Sequence, residues 1–324
     1  MEAFDLIRPS TQDDAIRAAQ RDRSSYIAGG TDLMQLMKDN VETPLHVIDV
    51  DGVLDDHVTL NDQGLRIGAL ARMSDVAAQP DVVRNYPVIA QALLASASPQ
   101  IRNMATIGGN LLQRTRCGYF RDIGFACNKR IAGSGCPAIR GENRRLAILG
   151  ASDTCIATHP SDLAVALVAL DAAVELRGAD GATRTVALIA FHREPGATPQ
   201  IETVLRPGEL ITAITVPAHP VARRSAYLKV RDRASFEFAL VSAAVALDLD
   251  GQVIREARIA LGGVGTKPWR APAAEAALRG MAATEDSFRH AAEIALQGAE
   301  PASQNAFKVT LAQRTIVRAL HSVA

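Results

Sequence analysis

All four cysteines of this 324-residue chain lie in one stretch, between Thr106 and Asp162. Their spacing is C-x9-C-x8-C-x18-C, and the residues between them show little apolar periodicity. Nothing local is expected to fold this segment. A loop of roughly forty residues without a core of its own is uncommon, so an ordered one needs a covalent or metal staple. The candidate groups are Cys117, Cys127, Cys136 and Cys155.

The spacing of the cysteines leaves several staples open. Disulfides need an oxidising compartment, and residues 1–9 lack the basic and apolar regions of a secretory signal. Zinc usually takes two C-x2-4-C pairs, and none is present. An iron–sulfur cluster accepts four widely spaced thiolates, and basic neighbours would offset its negative charge. These neighbours are Arg114, Arg116, Lys129 and Arg130. A cluster, a zinc site and free thiols remain possible at this point.

Two glycine turns are candidate parts of a ligand site. The first, Ala28–Leu33, lies between a predicted strand and a predicted helix, an order that presents backbone N–H groups to an anion such as a pyrophosphate. A plain tight turn is the alternative. The second, Thr106–Asn110, has glycines that allow close approach of a phosphate or a ring. Beyond the cysteines, His159–Asp162 is expected to cap an apolar helix, with His159 as a turn residue.

Composition narrows the classes of function. The 35 Lys and Arg residues balance 35 Asp and Glu residues, so no net field attracts nucleic acid or anionic lipid. Aromatic residues make up 4%, which leaves little surface for stacking on bases. The longest apolar run, Leu163–Leu170, is too short to span a bilayer. We expect a globular protein with neither a nucleic-acid nor a membrane partner.

The periodicity of apolar residues predicts a mixture of helices and strands. Predicted helices cover residues 11–20, 33–37, 81–95, 271–278, 285–296 and 305–321. Predicted strands cover residues 24–27, 45–50, 65–70, 172–177, 183–188, 209–216, 227–233, 238–249 and 253–261. The last three form a meander backed by helices, which is an α+β arrangement. The best candidate linker is Pro217–Pro220.

Six motifs occur in an order that resembles the FAD-binding subunits of the xanthine oxidase (molybdenum hydroxylase) family. The three described above are followed by Leu205–Leu210, Tyr227–Lys229 and Leu261–Gly265. In that family the Gly-Gly-Asn turn and the Pro-Ser-Asp segment lie a few residues apart, whereas here residues 111–159 separate them. Periplasmic aldehyde oxidoreductases of bacteria and 4-hydroxybenzoyl-CoA reductase resemble this chain in having an insertion that holds a [4Fe-4S] cluster. The strings Gln113–Cys117 and Cys127–Arg130 favour the aldehyde oxidoreductases.

The resemblance implies a two-lobed PCMH-type FAD-binding domain over residues 1–219, followed by a CO-dehydrogenase-flavoprotein-like C-terminal α+β domain over residues 222–324. Lobe one would cover about residues 1–56 and lobe two about residues 57–219, with the iron–sulfur insertion at about residues 111–158. FAD would lie between the lobes. Because both glycine turns lie outside the insertion, loss of a cysteine is expected to spare most of the FAD.

The family's contacts, carried over residue by residue, imply a set of cofactor-binding residues. The pyrophosphate would be wrapped by Ile27, Ala28, Gly29, Gly30, Thr31, Asp32 and Leu33. The opposite wall and the ribityl or adenosine end would be held by Thr106, Gly109, Asn110 and Asp162, and the flavin ring by Leu205 and Lys229. The cluster would be held by Cys117, Cys127, Cys136 and Cys155. From the residues alone, a lysine near a flavin stabilises a reduced anion, whereas a strand-end lysine is more often solvated.

The function implied by the resemblance is electron transfer. No Ser-His-Asp or paired-carboxylate centre is recognisable, so no catalytic residue is assigned. A molybdenum-cofactor subunit would oxidise an aldehyde, a [2Fe-2S] subunit would relay the electrons, and FAD in this chain would pass them to an external acceptor. The alternatives are the FAD subunit of a hydroxybenzoyl-CoA reductase or xanthine dehydrogenase, a self-sufficient flavin oxidoreductase, and a zinc-stapled interaction module. The heterotrimer would reach the periplasm through a signal-bearing partner, and the chain would otherwise stay cytoplasmic.

Overall fold

The computed structural model describes all 324 residues, which form three sheets and the helices packed on them. The first sheet is parallel, in the order β1-β3-β2. Its strands are β1 (Asp5–Ile7), β2 (Ser24–Ile27) and β3 (His46–Asp49). The crossovers contain α1 (Gln12–Ala18) and α2 (Leu33–Lys38). The first glycine turn therefore leaves the carboxyl end of β2, the edge at which parallel sheets usually bind ligands.

The second sheet is antiparallel, in the order β4-β5-β8-β6-β7. Its strands are β4 (Val58–Asn61), β5 (Gly64–Gly68), β6 (Ala173–Arg177), β7 (Thr183–Ala187) and β8 (Leu210–Pro217). The helices between them are α3 (Met73–Ala78), α4 (Pro80–Asn85), α5 (Pro87–Ala95), α6 (Pro99–Arg102), α7 (Ile107–Leu111), α8 (Gly118–Arg121), α9 (Asp162–Ala169) and α10 (Leu188–Phe191). All eight residues of α9 are buried, so this helix lies at the centre of the core.

The single helix predicted over residues 81–95 is wrong, because the structure has two helices there. They are separated at Tyr86, whose φ of −138° and ψ of 52° are not helical. Pro87 begins α5, and a proline disfavours the helical conformation of the residue before it. The spacing of apolar residues thus predicts the buried face of these helices but not the break at Tyr86.

The third sheet is antiparallel, in the order β12-β11-β10-β9, and it has its own core. Its strands are β9 (Ser225–Val230), β10 (Val241–Asp250), β11 (Val253–Gly262) and β12 (Trp269–Arg270). The helices that follow are α11 (Pro272–Leu278), α12 (Glu285–Ala295) and α13 (Phe307–His321). The predicted meander is present, and β12 adds a fourth strand at its edge. No helix of the chain combines the length and the apolar character needed to cross a membrane.

The four residues predicted as a linker, Pro217–Pro220, are exposed, and the chain packs again directly after them. After β8 the chain makes a 3-10 turn, Pro220–Arg223, in which Val221 and Ala222 are buried. Both belong to the same core as the second sheet. The third sheet is therefore joined to the rest of the chain through a short exposed stretch and a packed turn. Its strand β9 runs past α5, and β10 and β11 lie against α9.

Candidate functional site

One large cleft is lined by all thirteen residues predicted to hold FAD. They come from the first glycine turn, from α7, from the start of α9, from the loop before β8 and from β9. The third sheet thus contributes one wall and the first sheet another. Residues that are far apart in the sequence are brought to a single concave surface, as an extended ligand requires.

The first glycine turn is held against the chain segment that precedes α7. A Cβ atom at Gly29 would lie 1.9 Å from the carbonyl oxygen of Met104, so this position admits only glycine for reasons of the fold itself. Gly30 has φ of +68°, a conformation that side chains with a Cβ rarely adopt. Glycine at position 29 is therefore required by packing against Met104.

The second glycine turn and the Pro-Ser-Asp segment are bonded directly to each other. Thr106 caps α7, with its hydroxyl accepting a hydrogen bond from Gly109 N at 3.3 Å. Ser161 caps α9 and donates through Oγ to Asn110 Oδ1 at 2.5 Å. The cysteine segment, which lies between these motifs in the sequence, therefore begins and ends at one point of the cleft wall.

Asp162 is the centre of a buried polar network on that wall. Its Oδ2 accepts hydrogen bonds from Lys229 Nζ at 2.7 Å and from Ser96 Oγ at 3.0 Å. Its Oδ1 accepts from the Tyr227 hydroxyl at 2.5 Å. The side chains of Asp162 and Lys229 are only 6% and 4% exposed. Lys229 is therefore a buried, paired cation, and the solvated alternative is wrong.

Two members of this network were missed as site residues from the sequence. Tyr227 precedes Lys229 by two positions on β9, so both side chains point to the same face, and the alternation of a strand could have identified it. Burial, followed by the nearby Asp162 carboxylate, raises the pKa of Tyr227 well above its usual value, so the phenol stays a hydrogen-bond donor. Ser96, at the end of α5, carried no recognisable signal.

The four cysteines line one small cavity that is separate from the large cleft. Cys117, Cys127 and Cys155 are buried, Cys136 is half-buried, and none forms a disulfide. Burial raises the pKa of Cys117 to about 11, and the neighbouring thiols Cys155 and Cys127 add to the shift. Burial also raises the pKa of Cys136 and Cys155. The thiols thus form one electrostatically coupled group.

The segment has a small core, contrary to the expectation that it has none. Nine buried residues form it, and Phe120 is its largest fully buried member. Cys117, Cys127 and Cys155 are part of this core, together with Leu36 from α2, and Cys136 packs against it. The helices of the segment have only three or four residues, which is too few for a periodic pattern of apolar residues, so the sequence does not predict this core.

The four basic neighbours of the cysteines do not all face the thiols. Lys129 lines the cysteine cavity, pairs with Glu202 and lowers the pKa of Cys155 by its charge. Arg130 instead donates to backbone carbonyls of the segment. Arg114 and Arg116 line the flavin cleft. Of the four, only Lys129 lines the cysteine cavity.

A polar clamp of Asn143, Asn305 and Lys308, all fully buried, joins the end of the segment to the C-terminal helices. Asn305 Nδ2 donates to the carbonyl oxygens of Asn143 and Leu146, both at 3.2 Å. Lys308 Nζ donates to Leu146 O at 2.9 Å and to Gly263 O at 2.8 Å. The segment is thus fixed at both ends.

His159 and His192 form a buried pair beside the cleft, with ring centroids 4.3 Å apart. Burial lowers the pKa of both rings, that of His192 to about 4, so both are neutral at ordinary pH. His159 Nδ1 accepts a hydrogen bond from Ser161 N at 3.3 Å, which agrees with its predicted turn role. It lines a small side cavity with His192 rather than the flavin cleft.

The two-domain α+β fold with its cleft is that of a flavin-binding oxidoreductase subunit. The family model for the FAD binding domain in molybdopterin dehydrogenase matches residues 2–219, and the model for the CO dehydrogenase flavoprotein C-terminal domain matches residues 225–323. The chain therefore belongs to the FAD-binding subunits of the xanthine oxidase family, as the sequence motifs predicted. The predicted fold class is confirmed.

Known proteins match the chain over nearly its whole length. The aldehyde oxidoreductase FAD-binding subunit PaoB of Escherichia coli (strain K12) is 50% identical, over 99% of this chain and 98% of that protein. The carbon monoxide dehydrogenase medium chain of Afipia carboxidovorans is 28% identical, over 93% and 88%. A solved structure of CO dehydrogenase from Oligotropha carboxidovorans has a TM-score of 0.78 at 25% identity, covering 99% of this chain and 98% of that chain.

Proposed function

We propose that this chain is the FAD- and [4Fe-4S]-containing electron-transfer subunit of a three-subunit, molybdenum-dependent aldehyde oxidoreductase. The observation that carries the aldehyde assignment is the 50% identity, over 99% of the chain, to an aldehyde oxidoreductase FAD-binding subunit. A molybdenum-cofactor subunit and a [2Fe-2S] subunit would be the partners. An external acceptor would take the electrons from the flavin cleft.

The chemistry of the cysteine cavity fits a thiolate-bound metal group. Four unpaired thiols line one enclosed space, and Lys129 brings a positive charge to its wall. Burial makes the thiols hold their protons in the absence of metal, because it raises the pKa of Cys117 to about 11. Metal binding would therefore release protons as the ligands become thiolates. Without that group, the cavity would be an unusual concentration of buried thiols with no partner.

The spacing of the sulfur atoms favours a cluster over a single zinc ion. A tetrahedral zinc site has Zn–S bonds of about 2.3 Å, which puts its sulfurs about 3.8 Å apart. No three of the four Sγ atoms lie within 4.8 Å of one another. A larger inorganic core with one thiolate at each corner is the better match to this arrangement.

The chain's own residues would bind and orient the cofactor rather than transform a substrate. When bound, FAD supplies the redox chemistry. The glycine turn and the Thr106–Asn110 wall would hold the nucleotide, and Lys229 would present a fixed positive charge that favours an anionic flavin. Asp162 pairs with that ammonium, and Tyr227 and Ser96 in turn contact the Asp162 carboxylate.

The experiment is a cofactor analysis of the purified full chain, expressed alone. We expect flavin absorption bands with a broad iron–sulfur shoulder, and about four irons with acid-labile sulfide per chain. About one zinc per chain would instead support a structural zinc site. Serine in place of any one cysteine should lower iron and sulfide together. Thr154→Ser, which changes another residue of the cavity lining and keeps its hydroxyl, is the matched control and should retain iron.

Aldehyde turnover tests the partner assignment. The isolated chain should show none, because no residue set in it performs that chemistry, and activity should return when the molybdenum-cofactor and [2Fe-2S] subunits are added. Robust aldehyde oxidation by the isolated, molybdenum-free chain would refute the model. Export would take place in complex with a signal-bearing subunit, and cell fractionation with and without that partner checks this.

A further inference from the structure

Asp32, at the end of the first glycine turn, is bonded to the cysteine segment through both carboxylate oxygens. Its Oδ1 lies 2.9 Å from Arg116 Nη1 and 2.8 Å from Arg121 Nη2. Its Oδ2 accepts a hydrogen bond from Arg114 N at 2.7 Å. The side chain is 16% exposed, so these contacts are largely shielded from water. The wall predicted to carry the pyrophosphate is therefore built partly by the segment that carries the cysteines.

This contact leaves one positive charge in excess on the cleft wall. Two guanidinium groups share the single Asp32 carboxylate, and of these two only Arg116 lines the cleft. Its guanidinium also lies 4.9 Å from the centre of the Phe238 ring, on the opposite lip of the cleft. Burial lowers the pKa of Arg116 to about 10, so it remains charged at neutral pH.

The other charged side chains of the cleft lining are also paired, and among them only Glu237 is shared, like Asp32, by two guanidinium groups. The pairs are Arg114 with Glu42, Lys229 with Asp162, Glu209 with Arg184, and Glu237 with Arg145 and Arg233. Two arginines of the cleft lining share a carboxylate in this way: Arg233 is 60% exposed, whereas Arg116 is 26% exposed and is the more deeply placed of the two. A cation held in a fixed position by a carboxylate and a ring is suited to a phosphate anion.

We propose that the cysteine segment completes the flavin site: Arg116, held by Asp32 and Phe238, binds the diphosphate of FAD and couples FAD affinity to the folding of the segment around its metal. This rests on the proposed function for the identity of the flavin and the metal. It reverses the expectation that loss of a cysteine spares FAD. Because such coupling is reciprocal, bound FAD should also raise the affinity of the segment for its metal.

The direct test is FAD affinity of the apo-flavin full chain carrying Arg116→Met, measured by quenching of flavin fluorescence. Loss of a hydrogen bond between charged groups predicts a dissociation constant about ten- to a hundredfold higher. ADP carries a diphosphate without the flavin. Its dissociation constant, measured by competition with FAD, should rise by a similar factor in Arg116→Met. Arg140→Met, which removes an exposed arginine of the same segment, is the matched control and should bind both normally.

Unchanged FAD and ADP affinities in Arg116→Met would overturn the assignment of Arg116 to the diphosphate. If that variant does not fold, Arg116→Lys keeps the charge but not the planar contact, and should raise both dissociation constants several-fold. Equal affinities of Arg116→Lys and wild type would overturn it as well.

The coupling is tested by removing the metal. Chelation of iron, or Cys117→Ser, should weaken FAD binding several-fold in the wild-type background and have little further effect in Arg116→Met. Iron loss with unchanged FAD affinity would overturn the coupling while leaving the cluster in place. A chain that never contains iron would refute the cluster instead, and the Arg116 measurements would still decide the diphosphate contact.

Discussion

Replacing Lys229 by methionine is expected to lower the free energy of unfolding by about 3 kcal/mol. The ammonium group and the Asp162 carboxylate are 4% and 6% exposed and lie 2.7 Å apart. Removing one partner of a buried ion pair costs about 3–5 kcal/mol, because the remaining charge stays buried without compensation. The lower end applies here, since the Tyr227 hydroxyl still donates to the carboxylate.

The carbonyl oxygen of Ala95 adds little to this cost. It accepts from Lys229 Nζ at 3.2 Å, but Arg231 Nη1 also donates to it at 3.1 Å, so it keeps a donor in the variant. The stability change should therefore report the ion pair itself. Asp162→Asn should be destabilising by a similar amount, because it leaves the ammonium without a counter-charge.

The assay is urea unfolding followed by the fluorescence of Trp269, the only tryptophan, which lies in the same sheet as Lys229. In the double variant Lys229→Met/Asp162→Asn no charge is left unpaired, so its cost should be well below the sum of the two single costs. If the loss of unfolding free energy in the double variant equals the sum of the two single losses within about 0.5 kcal/mol, the reasoning is refuted. Lys38→Met, at an exposed lysine, is the control and should change stability by less than about 0.5 kcal/mol.

Three further predictions test other parts of the fold. Gly30→Val should lose FAD while the chain stays folded, because its φ of +68° disfavours a β-branched residue; full flavin absorbance after gel filtration would contradict this. Burial lowers the pKa of His192 from 6.5 to about 4, so its contribution to stability is intact above pH 6.5 and is lost as the pH falls towards 4, by up to about 3 kcal/mol. His192→Gln should accordingly flatten the acid side of the stability curve measured by urea midpoints. Lys308→Met should destabilise by about 1–3 kcal/mol, because Gly263 O loses its donor while Leu146 O keeps Asn305; an unchanged urea midpoint would show that the donor is dispensable.

Short-range patterns predicted much of the fold, because each of them reflects a local constraint. The strand–turn–helix order at residues 24–38 and the helix cap at Ser161 are both present. The break at Tyr86 was missed because apolar spacing continues across it, although Pro87 was a visible signal. The fourth strand, β12, is only two residues long and has too little sequence for a periodic signal.

The sequence predicted those site residues that belong to a short motif. It did not predict which distant residues these side chains contact. Sequence motifs identified Asp162 and Lys229, but not that they are paired. Asp32 was predicted as part of the pyrophosphate turn, whereas its partners lie on the cysteine segment, more than 80 positions further along the chain. Such long-range pairs depend on the completed fold and have no local signature.

The polar clamp has a consequence for the order of events during synthesis. Asn143 contacts Ser303 and Gln304, which lie 160 and 161 positions later in the chain. At a translation rate of about 5–20 residues per second, the cysteine segment waits roughly 8–30 s before those residues emerge. During this interval the middle of the segment, around Asn143, lacks its C-terminal partners, although its far end can already bond to Asn110 through Ser161. Docking of the last helices then closes the segment. The metal is therefore expected to enter before the C-terminal residues of the nascent chain have folded.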